Sequence, residues 1–113
     1  MPHPPAVLEP AHGLDKLKAL ALDGLTSPES RRAYGQAIGG FVRWHREQMP
    51  ESGFTKATVH AYRAHLVSQG LSASTVNVRL SAIRRLAMEA ADNGALSPEV
   101  AAAVGRVKGV KRG

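Results

Sequence analysis

The stretch SASTVNVRLSAIRR, residues 72–85, combines the spacing of an α-helix with a strongly polar surface. Aliphatic side chains recur at intervals of three and four residues from Val76 to Ala90, which is the spacing of one buried helical face. Ser72 stands before this run as a favourable N-cap, and Asn93-Gly94 closes it. The stretch therefore predicts an amphipathic helix that begins after Ser72 and ends near Asn93.

Capping signals and apolar periodicity predict further helices on both sides of this one. Ser27-Pro28-Glu29 and Ser97-Pro98-Glu99 each supply a capping serine, a proline for the first helical position and an acid for the positive helix end. Thr55 caps another helix, with Phe54 placed as a hydrophobic staple. The staple is expected to recur at Leu71. A short amphipathic helix is indicated by Leu14, Leu17, Leu20 and Leu22. The predicted helix ends are Gly24, Met49-Pro50, Gly70 and Gly105.

No segment alternates with period two for long enough to be a strand, so we predict an all-α bundle with short connections. Residues 1–13 hold four of the seven prolines and predict a flexible leader. Residues 14–105 form the predicted helical domain, and residues 106–113 a basic tail or linker that is exposed. Glycines in the long helix each cost about 1 kcal/mol relative to alanine, which suggests close approach of another backbone. They are Gly35, Gly39 and Gly40.

The charge balance favours a polyanionic partner. Fifteen Lys and Arg against nine Asp and Glu give a net charge of +6 and a pI near 10.3. Double-stranded DNA is the first candidate and an anionic membrane surface the second. The absence of cysteine excludes disulfides and thiol-bound metals. No apolar run reaches the roughly 18 residues of a membrane span, and no signal peptide is evident, so we expect a cytoplasmic protein without membrane contact.

The helix that follows Ser72 carries its polar side chains on one flank when residues advance by 100°. Short hydroxyls allow close approach to DNA, and arginines reach phosphates or base edges. The N-terminal hydroxyls also lie beside free backbone amides that attract phosphate. The alternative is an ordinary capped and solvated helix. The flank comprises Asn77, Ser81, Arg84, Arg85 and Met88, and the N-terminal hydroxyls belong to Ser72, Ser74 and Thr75.

Basic residues elsewhere favour the DNA interpretation. Arg32 and Arg43 are eleven residues apart and thus nearly in line on the long helix, with Arg31 at the border of its apolar side. The tail sequence GRVKGVKRG carries four basic residues and no acid, a composition that binds phosphates weakly. Its basic residues are Arg106, Lys108, Lys111 and Arg112.

Three segments occur in a characteristic order: SPESRRAYGQAIGGFVRW (27–44), TKATVHAYRAHLVSQGLSASTVNVRLSAIRRLAMEA (55–90) and NGAL (93–96). Together they resemble the N-terminal core-binding domain of tyrosine recombinases, the phage integrase family. The resemblance implies a four- to five-helix SAM-like bundle that packs on duplex DNA and contacts other recombinase protomers there. By position it implies DNA contacts from Ser27, Arg31, Arg32, Ser72, Ser74, Thr75, Asn77, Arg79 and Arg84. Val78 stands where the family usually has a second arginine.

The same resemblance implies that catalysis belongs to a separate C-terminal domain, which supplies arginines, a His-x-x-Arg element and a tyrosine nucleophile. His60-Ala61-Tyr62-Arg63 spells His-x-x-Arg, but it lies in a helix with Tyr62 on the buried stripe. His60 and His65 diverge on that helix, which argues against a zinc site. We therefore expect an isolated binding domain with no catalytic residue, metal or cofactor.

The resulting prediction is sequence-specific duplex DNA binding as the core-binding domain of a site-specific recombinase, monomeric without DNA. One alternative is a helix-turn-helix regulator that dimerises on a palindrome through Leu14, Leu17, Leu20 and Leu22. Another is a helical module that binds an acidic protein or RNA. The aromatic content of 4% argues against single-stranded nucleic acid, which is usually held by ring stacking.

Overall fold

Five helices make up the computed structural model, which describes residues 12–111 and the side chains of residues 14 and 16–111. No strand occurs within that range, so the all-α prediction is confirmed. The proposed leader up to residue 11 and Arg112 lie outside the described residues. The first helix begins at His12, slightly before the predicted Leu14. The helices are α1 (His12–Asp23), α2 (Pro28–Gln48), α3 (Lys56–Ser68), α4 (Ala73–Asp92) and α5 (Pro98–Gly105).

The predicted caps determine where the helices begin and end. In α2 to α5 the hydroxyl of the N-cap accepts a hydrogen bond from the backbone N–H three residues later. Each such bond satisfies a backbone amide that the helix itself leaves unpaired. It contributes about 1 kcal/mol to the free energy of unfolding. Gly70 and Gly94 follow α3 and α4 with φ of 77° and 73°, a conformation that glycine adopts without strain. The N-caps are Ser27, Thr55, Ser72 and Ser97.

The central element is α4, which packs against α1, α2, α3 and α5. Its buried side chains cover a wider arc than the predicted stripe, because Ala82 and Leu86 are fully buried beside it. Only part of the surface of α4 therefore remains for a partner, and its exposed residues are Ser74, Val78, Met88 and Asp92. The buried residues are Val76, Leu80, Ala82, Ile83, Leu86, Ala87 and Ala90.

Aromatic rings join α2 to α3. The Phe41 ring centroid lies 5.0 Å from that of Tyr62 and 5.6 Å from that of Phe54, and Trp44 lies 5.1 Å from Tyr62. Phe54 is buried, which supports the first predicted staple. Leu71 is 36% exposed, so the second staple leaves its hydrophobic residue largely at the surface.

The glycines of α2 face side chains, so the expectation of a close backbone is wrong. A Cβ at Gly39 would lie 3.2 Å from Lys18 Nζ, and one at Gly35 would lie 3.6 Å from a Leu22 methyl. At Gly40 the nearest atom would be the Arg79 Nη1, at 3.1 Å. The space at Gly40 thus admits a guanidinium group between two helices.

The apolar side of α1 is used inside the molecule. Leu14 and Leu17 are 1% and 4% exposed, and α1 packs on α2 and α4. The dimer surface that the helix-turn-helix alternative required is therefore mostly core, with only Leu20 substantially exposed. Among the described residues, no helix combines the length and apolar character needed to cross a bilayer.

Candidate nucleic-acid interface

An open groove of about 270 Å³ separates α2 from the N-terminal turns of α4. Small side chains line much of it, so another backbone can approach both helices closely. Its lining also includes the polar side chains of Gln36, Ser74 and Thr75 and the guanidinium of Arg79. The lining residues are Ala33, Gln36, Ala37, Ser74, Thr75, Val78 and Arg79, and we call this surface the α2–α4 groove.

The N-terminus of α4 opens onto this groove. The Ser72 hydroxyl accepts from the Thr75 backbone N–H at 3.1 Å and donates to the Thr75 hydroxyl at 3.0 Å. These two hydroxyls therefore hold the first turn in place, whereas Ser74 is exposed on the groove itself. A helix N-terminus favours negative charge, so the predicted phosphate affinity of this turn rests mainly on Ser74 and nearby amides.

Arg79 joins the α2–α4 groove to a second groove between α2 and α3. Its guanidinium lies beside the Tyr62 hydroxyl over the space left by Gly40, because both groups are within 3.4 Å of the position that a Cβ at Gly40 would take. Burial raises the pKa of the Tyr62 hydroxyl, and the hydrogen bond and charge of Arg79, with the charge of Arg43, oppose part of that rise. The second groove, of about 360 Å³, includes Arg43, Trp44 and Arg79 in its lining. Helical periodicity leaves Arg79 out of the polar flank, but the structure places it in the lining of both grooves.

The exposed side of α2 extends the same positive surface. Arg32 and Gln36 are one turn apart, and Arg43 lies two turns beyond Gln36 on that face. All three side chains are exposed. Gln36 lines the α2–α4 groove and Arg43 lines the second groove, and Arg79 joins the two. A strip of cationic and amide groups therefore follows α2 past the N-terminus of α4. We call Arg32, Gln36, Arg43, Ser74 and Arg79 the cationic strip.

The C-terminal tail, residues 106–111, packs against part of the predicted polar flank of α4, at Asn77 and Arg84. Asn77 holds Val110 through both backbone groups: its Nδ2 donates to the carbonyl at 2.9 Å and its Oδ1 accepts from the N–H at 2.7 Å. Arg84 donates through Nη2 to the carbonyl of Val107. Val107 is 1% exposed, so the expectation of an exposed tail is wrong at that residue. Asn77 and Arg84 thus hold the tail, and their contact with DNA stays a prediction.

α3 contributes a third contact to the tail. Arg63 donates through Nε to the Lys108 carbonyl at 2.8 Å and through Nη2 to the Gly109 carbonyl at 3.4 Å. Gly109 lies so close to α4 that a Cβ at this position would be only 2.5 Å from Asn77 Oδ1. The tail is therefore pressed against both helices, and glycine suits that position because any side chain would displace the Asn77 amide.

Replacing Asn77 with alanine is expected to release the tail. The change removes two hydrogen bonds at a half-buried site, so the free energy of unfolding should fall by about 1–3 kcal/mol. Trypsin should cut after Lys108 and Lys111 faster than in the wild type. Asn93→Ala removes a side-chain bond to the Glu89 carbonyl at the exposed end of α4 and is the control. Equal cleavage rates in the two variants would contradict the role of Asn77.

Two further predicted DNA-contact arginines hold the C-terminal end of α1. Arg85 Nε donates to the Ala21 carbonyl at 2.8 Å. Arg31 Nη1 donates to the carbonyls of Leu22 at 2.6 Å and Leu25 at 3.3 Å. Cations at a helix C-terminus satisfy its free carbonyls and its negative end. These contacts show that Arg31 and Arg85 join α1 to its neighbours.

The structure therefore separates the predicted site residues into groups. Ser74, Thr75 and Arg79 lie together on the α2–α4 groove, and Arg32 is exposed one turn from Gln36. Sequence reasoning missed Gln36 as a groove residue; its spacing of four from Arg32 was the available signal. Ser27 caps α2 and donates to Glu29 at 2.9 Å, Ser81 is half-buried, and Lys108 and Lys111 are exposed on the tail.

The His-x-x-Arg sequence does not form a site around its tyrosine. His60 is exposed, Arg63 bonds to the tail, and Tyr62 is buried among Phe41 and Trp44. The raised pKa of the Tyr62 hydroxyl disfavours the phenolate that a nucleophile requires.

Comparison with known protein families identifies most of the described helices as part of a known domain. The family model described as phage integrase, N-terminal SAM-like domain, matches residues 17–94, which is more than half of the chain. The match extends from within α1 to the turn after α4 and therefore includes both helices of the α2–α4 groove. Comparisons with curated proteins and with solved structures gave no match.

Proposed function

We propose that this chain, which belongs to the phage integrase N-terminal SAM-like domain family, binds duplex DNA as the core-binding domain of a site-specific tyrosine recombinase. The proposed interface is the cationic strip along α2 and the N-terminus of α4. The observation that carries this choice is the position of Arg79, which connects two grooves lined by α2. The proposal includes other recombinase protomers as partners on the DNA site.

The shape of the strip supports a duplex as the ligand. The α2–α4 groove is open, and most of its lining is alanine, serine, threonine and valine, so a phosphate backbone can approach Arg79 past small side chains. Arg32 and Arg43 stand on the exposed side of α2, about 16 Å apart at the helical rise of 1.5 Å per residue. That separation exceeds the spacing of adjacent phosphates, so each arginine would contact a different phosphate.

Electrostatics supports a weak and salt-sensitive complex. The net charge of +6 raises the local concentration of a polyanion and speeds its association. Each phosphate that a side chain neutralises releases counterions and adds about −0.9 to the slope of log K against log salt. For the isolated domain we expect a micromolar dissociation constant at physiological salt, in the range of non-specific DNA binding.

The first test measures binding of a fluorescent duplex by anisotropy over a series of salt concentrations. Arg43→Ala and Arg32→Ala should each weaken binding and reduce the magnitude of the salt slope by about 1. Lys16→Ala removes one positive charge from an exposed position on α1 and is the matched control. Equal affinities and slopes for all three variants would contradict the proposed strip.

A second change tests the N-terminus of α4 with little risk to the fold. Ser74→Glu places an acid in the first turn of a helix, where it suits the helix dipole, but directs it at the proposed phosphate. Binding should weaken about tenfold, which corresponds to ~1.4 kcal/mol. Ala102→Glu adds the same charge at an exposed position on α5 and should change affinity far less.

We further propose that this part of the protein binds DNA without cutting it. The phenol of Tyr62 lacks the exposure that an attacking nucleophile needs, and Arg63 is occupied with tail carbonyls. Supercoiled plasmid should remain uncut after prolonged incubation with the chain. Nicking that disappears in Tyr62→Phe would overturn this part of the proposal.

A further inference from the structure

A second basic surface lies between α3 and the C-terminal tail. This groove has a volume of about 320 Å³, and we call it the α3–tail groove. All of its described lining residues are basic, so no carboxylate balances their charge inside it. The lining residues are Lys56, His60, Arg63, Arg106 and Lys108.

Helical spacing and the docked tail together create this concentration of charge. Lys56, His60 and Arg63 are four and three residues apart, so they share one face of α3. The tail supplies the other wall because Arg63 binds the backbone carbonyls of Lys108 and Gly109. Side chains 45 residues apart in sequence therefore meet at one groove.

The chemistry of the groove fits a phosphate group. Lys56, Arg106 and Lys108 are exposed, so their side chains can rotate and direct their charged groups at a ligand. Arg63 donates its two hydrogen bonds to neutral backbone carbonyls, which do not neutralise the positive charge of its guanidinium. Converging ammonium and guanidinium groups bind phosphate through short, charge-assisted hydrogen bonds. The like charges also repel one another, and an anion would relieve that repulsion.

The α3–tail groove is separate from the cationic strip. The buried stripe of α3 runs through Val59, Tyr62 and Leu66, and the groove residues lie on one side of it. His65, which lines the groove that contains Arg79, lies on the other side. A ligand held by Lys56 and Lys108 therefore does not touch the α2 arginines, and the two surfaces are testable independently.

We propose that the α3–tail groove is a phosphate-binding site that exists only while the C-terminal tail is docked. The phosphate belongs either to a nucleic-acid backbone that passes this side of the bundle or to a free oligophosphate. Because a ligand held by both walls binds only the docked state, it also stabilises docking of the tail. The site does not depend on the proposed function of the cationic strip.

The direct test titrates the chain with pyrophosphate by calorimetry at low ionic strength. Lys56→Ala and Lys108→Ala should each weaken pyrophosphate binding by about three- to tenfold, as expected for loss of one charge-assisted contact. Lys16→Ala removes the same charge from α1 and should leave the affinity within twofold. Equal affinities for these variants would overturn the site.

The dependence on docking has its own test, because Asn77 anchors the tail without lining the groove. Asn77→Ala changes no charge, yet it should weaken pyrophosphate binding at least threefold by releasing Arg106 and Lys108. Asn93→Ala, the control for amide removal, should bind as the wild type does. Wild-type affinity in Asn77→Ala would overturn the requirement for a docked tail.

A competition experiment distinguishes the two sources of phosphate. If a short duplex displaces pyrophosphate, and Lys56→Ala also weakens duplex binding, the ligand is a nucleic-acid backbone. If duplex and pyrophosphate bind together, the ligand is a free oligophosphate. Arg43→Ala should leave pyrophosphate binding unchanged in both cases, so failure of the DNA proposal and failure of this site give different results.

Discussion

Replacing Phe41 with alanine is expected to lower the free energy of unfolding by about 3–5 kcal/mol. Phe41 is fully buried, and its ring contacts Trp44, His45, Phe54 and Tyr62 at centroid distances of 5.0 to 6.1 Å. Removing the ring leaves a cavity where α2 and α3 meet mainly through aromatic side chains. That region relaxes poorly, because Trp44 and Tyr62 also contact each other and His65 and so stay in place.

Urea denaturation followed by circular dichroism measures this loss. Phe41→Leu fills most of the volume and should cost clearly less, while Val67→Ala, at a position 47% exposed, should fall within about 0.5 kcal/mol of the wild type. A loss below 1 kcal/mol for Phe41→Ala would show that the aromatic cluster contributes little. Because Tyr62 contacts Phe41 and lies beside Arg79, anisotropy with the Leu variant also tests whether looser packing weakens DNA binding.

Replacing His45 with leucine is expected to raise the free energy of unfolding by about 1–3 kcal/mol. The imidazole is 0% exposed, and among the described residues neither Nδ1 nor Nε2 has a hydrogen-bond partner. A buried polar atom without a partner loses its bonds to water and gains none in return. Leucine has a similar volume and carries no such atom.

The same denaturation experiment measures the gain, with His60→Leu as control. His60 is exposed, so its replacement should change stability by less than about 0.5 kcal/mol. A destabilised His45→Leu variant would show that the imidazole nitrogens have partners, such as ordered water, that offset their burial. The melting temperature measured by calorimetry should likewise be higher for His45→Leu than for the wild type and nearly unchanged for His60→Leu.

Helix boundaries are the part of this fold that local sequence predicts best. Ser27, Thr55, Ser72 and Ser97 all cap helices as expected, and Gly70 and Gly94 adopt the positive φ that their position after a helix predicts. These features depend on residues within one or two turns, so sequence alone contains the necessary information. The buried faces of the helices could be predicted for the same reason, because the 3.6-residue periodicity is also a local property of the sequence.

The candidate site was predictable only in part. Periodicity correctly separates the apolar face of α4 from its polar flank, but it does not reveal what covers that flank. Asn77 and Arg84 meet tail residues 33 and 23 positions away in sequence, and Arg85 meets the end of α1, 64 positions away. Family position indicated Arg79, whose place over Gly40 depends on how α2, α3 and α4 pack.

The amino-acid sequence by itself determined that this protein is a bundle of capped amphipathic helices with a basic surface, because caps, periodicity and net charge are local or additive properties. Only the tertiary structure decided which basic side chains face outward. Arginines are long and bear several donors, so the nearest free carbonyl of the folded chain competes with solvent and with any phosphate for each of them. The tail places such carbonyls beside Arg63 and Arg84, and the end of α1 places them beside Arg31 and Arg85, whereas Arg32 and Arg43 extend from the exposed side of α2.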